Sequence, residues 1–370
     1  MPNLKEFESL LGLNFCTGIG PVISKQIIRF FGDSETAVNE IKKGTRPIDG
    51  ISSHHWKLLS KVPKALERAK QEIAFCEQKN IKIISYYSKD YPSRLKQLVD
   101  APLLLFAVGN SNLNPSKAIS IVGTRKPHSD SIKITEKLVE EITKSQPQII
   151  SGLAYGIDKA AHNSALKNQL STVGVLAHGL NQIYPQAHKK LAKQMLENGG
   201  ILVTEMPSTT KLHPDLFPKR NRIIAGLSDA IVVIESKVIG GSMSTAQLGR
   251  SYDREVFAFP GNPVSGNRGG CNALIKRNVA QLVESSEDIS RAMKWHNQPT
   301  KNKPISFSLF PNLNHQEQEI LRILTGKNLH IDQLIESSNL PLHLLTLGLL
   351  ELELKGLIST LPGKYYQRIA

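Results

Sequence analysis

The chain has 370 residues, of which 40% are hydrophobic and 21% charged, so it is long enough for two to three globular domains, and collagen, coiled coil and wholesale disorder are excluded. It contains no apolar run near the ~20 residues of a membrane span and no signal-peptide pattern at its start, so we expect a cytoplasmic protein. Cys16, Cys76 and Cys271 are far apart and form no CxxC pair, so neither a disulfide framework nor a Cys-rich zinc site is predicted. The formal charge of +14 indicates an anionic partner.

The basic charge is distributed along the chain. Residues 1–117 hold 17 basic and 11 acidic residues, residues 118–292 hold 21 and 15, and residues 293–370 hold 8 and 6. No basic tail accounts for the excess, which lies mainly in two segments with folded patterns. This distribution favours a nucleic-acid-binding protein, and a merely soluble basic protein is the alternative.

Residues 1–80 have a helical pattern. Apolar residues recur at three- and four-residue spacing in residues 3–14, 21–31 and 62–79, which predicts three helices. Between the first two, Thr17-Gly18-Ile19-Gly20-Pro21 predicts a tight turn whose N–H groups can face a phosphate, with Pro21 in the first helical turn. The segment resembles a helix-hairpin-helix of a sterile-alpha-motif-like (SAM-like) domain, and a plain connecting turn is the alternative.

Residues 81–296 alternate short apolar strands with helices. This alternation is typical of right-handed βαβ units in a parallel sheet that is covered on both faces. We therefore predict an extended Rossmann-like, doubly wound α/β domain, of which the first two strands are an extension. The predicted strands are residues 81–85, 103–108, 118–122, 148–150, 172–177, 201–204, 230–234 and 255–259.

The end of the chain predicts a linker and a small third domain. Residues 297–310 have a polar composition with Pro and Lys, as linkers do. Residues 311–370 predict a winged helix, with helices at 315–325, 331–337 and 342–354 and two strands around Pro362-Gly363-Lys364. The third helix is rich in leucine and carries two glutamates, so its face favours a protein partner over a DNA groove.

Small residues follow several of the predicted strands. In open parallel sheets, ligands bind at the carboxyl ends of the strands, and small residues let backbone N–H groups approach a phosphate. Gly123-Thr124-Arg125, Ser151-Gly152 and Gly240-Gly241-Ser242 stand at such ends. Arg125 adds a permanently charged, bidentate partner for an anion.

A second group of cations begins a helix. Lys219, Arg220 and Arg222 lie near the predicted start of the helix at residues 217–226, where the helix dipole disfavours positive charge. Facing an anion would explain their position, and a solvated basic helix turn is the alternative.

Motifs of common enzymes are absent from the sequence. There is no GxxxxGK[ST] sequence, no GxGxxG after the first parallel strand, and no HExxH, so ATP, NAD and zinc sites are not predicted. His162 is isolated on a predicted helix, as structural histidines are. Asp158 falls in the first turn of that helix and is predicted to cap its N–H groups. We therefore predict no catalytic residue, no metal and no cofactor.

The middle of the chain resembles one bacterial family. This is the DprA/Smf family of DNA-processing proteins of natural transformation, and the similar stretches follow its order over nearly all of residues 118–280. The resemblance implies a protein that binds single-stranded DNA without catalysis, protects incoming strands, helps to load the recombinase RecA and forms a homodimer through its Rossmann-like domain. The similar stretches are SIVGTRKPHSD (120–130), ISGLAYGIDKAAHNSAL (150–166), TVGVLAHGLNQIYPQAH (172–188), FPKRNRIIAGLSDAIVVIES (217–236), GGSMSTAQLGRSYDREVFAFPGN (240–262) and RGGCNALI (268–275).

The same resemblance implies the residues of the DNA-binding pocket. The chain departs from the family after Tyr184-Pro185, where Gln186 and His188 replace an expected basic residue and an asparagine, and Lys189 and Lys190 follow. The resemblance places the pocket on Arg125, the 217–222 segment and Gly240-Gly241-Ser242, and with the strand-end residues above the predicted DNA-binding residues are Gly123, Thr124, Arg125, Gly152, Phe217, Lys219, Arg220, Asn221, Arg222, Gly240, Gly241 and Ser242. Phe217 beside these cations offers a stacking face next to phosphate charge, as in single-strand binders.

Two other functions are alternatives. The Gly240-Gly241-Ser242 turn resembles that of Rossmann-like phosphoribohydrolases of nucleoside monophosphates, which use a glutamate on the following helix. Here Thr245-Ala246-Gln247-Leu248 holds no carboxylate there, so the chemistry that assists base departure is missing. A protein-interaction scaffold that uses the helical ends is the other alternative.

Overall fold

The structure is a computed structural model that describes residues 4–44, 48–263, 269–295, 313–338 and 340–369. The predicted linker, residues 297–310, lies outside these residues. Within the described ranges, no helix combines the length and the apolar character that crossing a membrane requires.

Five helices form the N-terminal part. Pro21 begins the second helix directly after Gly20, as predicted, and Asp33 caps the third helix by accepting a hydrogen bond from the Thr36 N–H at 2.8 Å. These helices enclose an apolar cluster that also includes Leu104 and Phe106 of the neighbouring sheet, so the helical part packs directly on that sheet. The helices are α1 (Leu4–Asn14), α2 (Pro21–Phe31), α3 (Ser34–Lys42), α4 (Ser53–Leu58) and α5 (Val62–Gln78).

A nine-stranded sheet forms the centre of the described chain. Its spatial order is β1-β2-β6-β5-β4-β3-β7-β8-β9. The seven strands from β6 to β9 are parallel, whereas β2 is antiparallel to β6 and β1 is antiparallel to β2. The strands are β1 (Lys82–Ser85), β2 (Leu104–Gly109), β3 (Ala118–Val122), β4 (Gln148–Ser151), β5 (Thr172–Val175), β6 (Ile201–Thr204), β7 (Ala230–Val233), β8 (Glu255–Ala258) and β9 (Gln281–Leu282).

The connections create a switch point between β3 and β7. From β3 the chain steps outward through β4 and β5 to β6, and it then returns to place β7 on the other side of β3. The loops after β3 and β7 therefore leave the sheet in opposite directions and open a crevice between them. In doubly wound folds this crevice is where ligands bind.

Helices cover both faces of the sheet, and two apolar clusters fill the space beneath them. Burial on both faces explains why the parallel strands are continuously apolar, as in β3, all five residues of which are buried. The covering helices are α6 (Ser93–Lys96), α7 (Ser129–Glu141), α8 (Ile157–Lys167), α9 (Lys189–Glu197), α10 (Leu216–Leu227), α11 (Gly241–Ser251), α12 (Gly269–Lys276) and α13 (Ser286–Ala292).

The C-terminal part is a winged helix, as predicted. Its three-stranded antiparallel sheet has the order β10-β12-β11, and its own apolar cluster joins the three helices to that sheet. Lys364 forms an ion pair with Asp253 of the preceding part at 2.6 Å. The elements are α14 (His315–Ile323), β10 (Asn328–His330), α15 (Ile331–Ser338), α16 (Leu342–Leu354), β11 (Ile358–Leu361) and β12 (Tyr365–Arg368).

The predicted α/β architecture is confirmed, and all eight predicted strands form with ends within two residues of the prediction. The sequence patterns did not predict α3, α4, α6, α13 and the short strands β9 and β10. A signal for α13 was present, because Ser285 and Asp288 form a capping box at its start.

Candidate nucleic-acid interface

A cavity of about 440 Å³ lies at the switch point, at the carboxyl ends of β3 and β7. Its walls come from the loops after these two strands and from the first turns of α10 and α11. Three of the predicted residues, Gly152, Lys219 and Arg222, do not line it. The nine predicted residues that do are Gly123, Thr124, Arg125, Phe217, Arg220, Asn221, Gly240, Gly241 and Ser242.

Arg125 stands at the mouth of the cavity over the ring of Phe217. Its guanidinium carbon lies 5.0 Å from the ring centroid, which is within the range of a cation–π contact. The turn that carries it is fixed by the Thr124 N–H, which donates to the carbonyl oxygen of Glu235 at 2.8 Å. Arg125 is exposed, and no carboxylate of the described residues forms an ion pair with it. Its charge is therefore available to a phosphate beside an aromatic face.

Gly240 and Gly241 leave open space at the start of α11. A β carbon on Gly240 would approach only Ser236 Oγ, at 3.8 Å, and one on Gly241 would approach Asn221 Nδ2 at 3.5 Å. The backbone of Gly240 is extended, with φ of 177°, so any residue could adopt it. The fold itself does not require glycine here. Side-chain space at a helix N-terminus, where N–H groups lack partners, suits a bound anion.

Arg220 is buried and forms part of the floor of the cavity. Its Nη1 donates to the carbonyl oxygens of Gly152 and Val175, both at 2.6 Å, and its Nε donates to Asn221 Oδ1 at 3.2 Å. Burial lowers the pKa of Arg220 to about 10, and the nearby Asp158 carboxylate opposes that shift. Arg220 thus connects the loop after β4 to the start of α10.

Arg222 is also held by the protein. Its Nη2 donates to Glu205 Oε2 and its Nη1 to the carbonyl oxygen of Asp100, and both side chains of the ion pair are largely buried. Burial raises the pKa of Glu205, and the charge of Arg222 counteracts that effect. The third cation, Lys219, is exposed. Helix geometry therefore separates the three cations: one faces solvent and two support the loops around the cavity.

The predicted cap at Asp158 is wrong in its partners. The buried carboxylate accepts hydrogen bonds from the Gly152 and Ala154 N–H groups, at 3.1 and 3.3 Å, which belong to the loop before α8. These bonds make the side chain a brace for the loop. The carboxylate can do so because the loop curls back over the first turn of the helix.

The loop after β5 adds an aromatic residue that the sequence analysis did not include. Tyr184 is 42% exposed, and its ring centroid lies 6.0 Å from that of Phe217. Of the two departures from the family pattern, Gln186 is exposed, whereas His188 is buried against the Leu153 carbonyl oxygen at 2.9 Å. Lys189 and Lys190 are exposed at the start of α9. In the part of the chain that the structure covers, no group of three His, Cys, Asp or Glu side chains is arranged to hold a metal ion.

Comparisons with known proteins identify relatives over most of the chain. The family model of DNA recombination-mediator protein A matches residues 82–294, and that of the DprA winged helix domain matches residues 310–364. Protein Smf of Escherichia coli is 34% identical over 303 residues, which cover 79% of each chain. DNA processing protein DprA of Bacillus subtilis is 38% identical over 226 residues, which cover 61% of this chain and 75% of the relative.

Two solved structures share the fold. DNA processing protein A of Streptococcus pneumoniae matches with a TM-score of 0.65 and 28% identity, over 78% of this chain and 97% of that one. DNA processing protein A of Helicobacter pylori, described for its single-stranded DNA binding mode, matches with a TM-score of 0.52 and 27% identity, over 57% of this chain and 94% of that one.

Proposed function

Because the chain belongs to the DNA recombination-mediator protein A family, we propose that it binds single-stranded DNA in the cavity between β3 and β7 without catalysing a reaction on it. The observation that carries this proposal is the exposed Arg125 guanidinium over the Phe217 ring, 5.0 Å from its centroid, at the mouth of the cavity. A cation beside an aromatic face suits a phosphate next to an unpaired base. The open N-terminus of α11 offers a second place for a phosphate.

Among the predicted DNA-binding residues we propose two kinds of role. Arg125, Phe217, Lys219 and the segment Gly240–Ser242 would contact the DNA. Arg220 and Arg222 would support these contacts from below, because their guanidinium groups are already bonded to protein acceptors. Gly152 would act through Arg220, to which it gives a carbonyl acceptor.

The test is a titration of fluorescent oligonucleotides, single-stranded and blunt duplex, in EDTA and without nucleotide. We expect the single strand to bind more tightly, because stacking needs unpaired bases, and we expect affinity to fall steeply with salt as counterions are released. Equal affinity for duplex, or a requirement for ATP, would contradict the proposal.

A phosphoribohydrolase is the weaker alternative, and the family assignment does not favour it. The stretch of α11 that corresponds to the glutamate-bearing helix of those enzymes is Thr245-Ala246-Gln247-Leu248, and the Thr245 hydroxyl donates to the Gly241 carbonyl oxygen at 3.0 Å. No carboxylate stands there to assist departure of the base. Incubation with AMP or GMP should release no free base.

We further propose that the protein acts in the cytoplasm, protects incoming strands and helps to load RecA, as a homodimer formed through the Rossmann-like part. The family membership supports these roles. The test is RecA filament formation on single strands already coated with single-strand-binding protein, which the protein should accelerate. Nuclease digestion of the strand should slow in its presence, and light scattering should give the mass of two chains.

We propose the domain division 1–80, 81–296 and 311–370, with 297–310 as a linker. The separate apolar clusters of the helical part and the winged helix support it. The boundary near residue 80 separates parts that pack against each other, because Leu104 and Phe106 of β2 belong to the apolar cluster of the helical part. A fragment of residues 81–296 should retain single-strand binding. Its free energy of unfolding should be lower than in the full chain, because Leu104 and Phe106 become exposed.

A further inference from the structure

Tyr184 contacts the same Phe217 ring that Arg125 contacts. Arg125 follows β3 and Tyr184 follows β5, with β4 between these strands, and Phe217 of α10 contacts both residues. The guanidinium carbon of Arg125 lies 5.0 Å from the centroid of the Phe217 ring, and the centroid of the Tyr184 ring lies 6.0 Å from that same centroid. With neighbouring strands about 4.8 Å apart, β3 and β5 lie roughly 10 Å apart along the sheet edge.

A buried histidine holds Tyr184 in this position. The Tyr184 N–H donates to His178 Nε2 at 3.2 Å, and His178 Nδ1 lies 2.9 Å from the carbonyl oxygen of Gly179. Because a carbonyl can only accept, the His178 proton is on Nδ1 and Nε2 is free to accept from the tyrosine. Burial lowers the pKa of His178, which keeps this neutral form present. The backbone is therefore fixed while 42% of Tyr184 stays exposed.

Two exposed lysines follow Tyr184 in the chain. Lys189 and Lys190 are exposed in the first turn of α9, where the helix dipole disfavours cations. An exposed ring that shares its neighbour Phe217 with Arg125, and that two exposed lysines follow in the chain, provides the combination of charge and aromatic surface that single-strand binders use.

We propose that Tyr184 is a base-stacking residue, which extends the single-strand site from Arg125 and Phe217 towards β5 and takes one unpaired base there. Lys189 and Lys190, which follow Tyr184 in the chain, bind phosphates next to that base. The inference rests on the proposed function, because it assigns part of the same DNA site. It makes this end of the site depend on the base and not only on the backbone.

The experiment combines a protein variant with a DNA lesion. Tyr184→Leu removes the ring, Tyr184→Phe keeps it, and the probe is an oligothymidylate of about 20 nucleotides, intact or with scattered abasic positions. We expect Tyr184→Leu to raise the Kd for the intact strand by roughly 5- to 150-fold, the range of one stacked base, and Tyr184→Phe to bind as wild type. The slope of log Kd against log salt should not change, because the ring carries no charge.

The abasic strand keeps the inference falsifiable even if a variant folds poorly. Wild-type protein should lose affinity when bases are removed, and Tyr184→Leu should then lose little more. Phe30→Leu, which removes an exposed ring on α2, is the matched control and should bind as wild type. If wild type binds single strands but Tyr184→Leu binds equally well, the inference is overturned while the proposed function stands. If wild type does not bind single strands at all, the proposed function fails first.

Discussion

The guanidinium of Arg220 fills the space above Gly152. A β carbon on Gly152 would lie 2.4 Å from Nη1, and the same nitrogen donates a hydrogen bond to the Gly152 carbonyl oxygen at 2.6 Å. The glycine and the arginine are therefore one structural unit, in which the missing side chain makes room for the charge. This unit sets the position of α10, whose first turn carries Phe217 and Lys219.

Gly152→Ala should accordingly destabilise the protein. The added methyl group displaces Arg220 from the carbonyl oxygens of Gly152 and Val175, and overpacking of this kind costs about 1–3 kcal/mol of unfolding free energy. Chemical denaturation measures the loss. Gly20→Ala is the matched control, because its β carbon would have no neighbour within 4 Å and its φ is −86°. Equal stability of the two variants would remove Gly152 from this role.

Arg125→Ala should weaken single-strand binding by roughly 1–3 kcal/mol, the range of hydrogen bonds to charged groups. The slope of log Kd against log salt should be smaller for this variant, by the contribution of about one phosphate contact. Arg125→Lys should recover only part of the loss, since lysine lacks the planar, bidentate guanidinium. Titrations across salt concentrations measure both effects.

The melting temperature of Arg125→Ala should barely change, because an exposed substitution usually costs under ~0.5 kcal/mol. The buried carboxylate of Glu205 is paired with Arg222, so it does not hold Arg125 in a structural role. Lost stability with unchanged affinity would exclude Arg125 from the site.

Arg222→Met, unlike Arg125→Ala, should lower the stability of the protein. It leaves Glu205 largely buried without its ion-pair partner, and breaking a buried pair in this way costs about 3–5 kcal/mol. The double variant Arg222→Met/Glu205→Gln should recover part of that loss, because no buried charge remains. Thermal melts of the single and double variants measure the recovery, and DNA titrations of the folded double variant should show near wild-type affinity. A double variant as unstable as the single one would contradict the assignment.

Gly240→Ala should fold normally and bind DNA less well. The new methyl group meets only Ser236 Oγ at 3.8 Å, and the extended backbone accepts alanine. Alanine also reduces the entropy of the unfolded chain, so stability should stay equal or rise by up to ~1 kcal/mol. The methyl group would occupy the space proposed for a phosphate. Wild-type affinity in this variant would show that the phosphate does not lie there.

The sequence predicted the strands of the sheet well because their burial on both faces makes them continuously apolar. It also placed Gly123, Arg125 and Gly240 at strand ends, where the topology brings them together. It could not separate Arg125 from Arg220 and Arg222, since a sequence shows that a residue is cationic but not which acceptors lie around it. Tyr184 was hidden for a similar reason: its contact with Phe217 joins segments 33 positions apart, and only the fold brings their loops together.

His162 should make the protein sensitive to acid. It is fully buried, and its Nδ1 lies 2.7 Å from Thr172 Oγ1, whose own proton is donated to the Ile149 carbonyl oxygen, so His162 donates from Nδ1 as a neutral ring. Burial lowers its pKa to about 3, with smaller contributions from the charges of His188 and Arg220. In the unfolded chain the ring takes up a proton near pH 6.5, so unfolding binds a proton between that pH and about 3. The contribution of His162 to the free energy of unfolding should therefore be complete above pH 6.5. It should decrease as the pH is lowered through this window, by at most roughly 4–5 kcal/mol.

Urea unfolding at a series of pH values should give a flatter profile for His162→Gln than for wild type, whereas His343→Gln, at an exposed position on α16, should leave the wild-type slope unchanged. Parallel profiles for wild type and His162→Gln would show that another group controls the acid sensitivity.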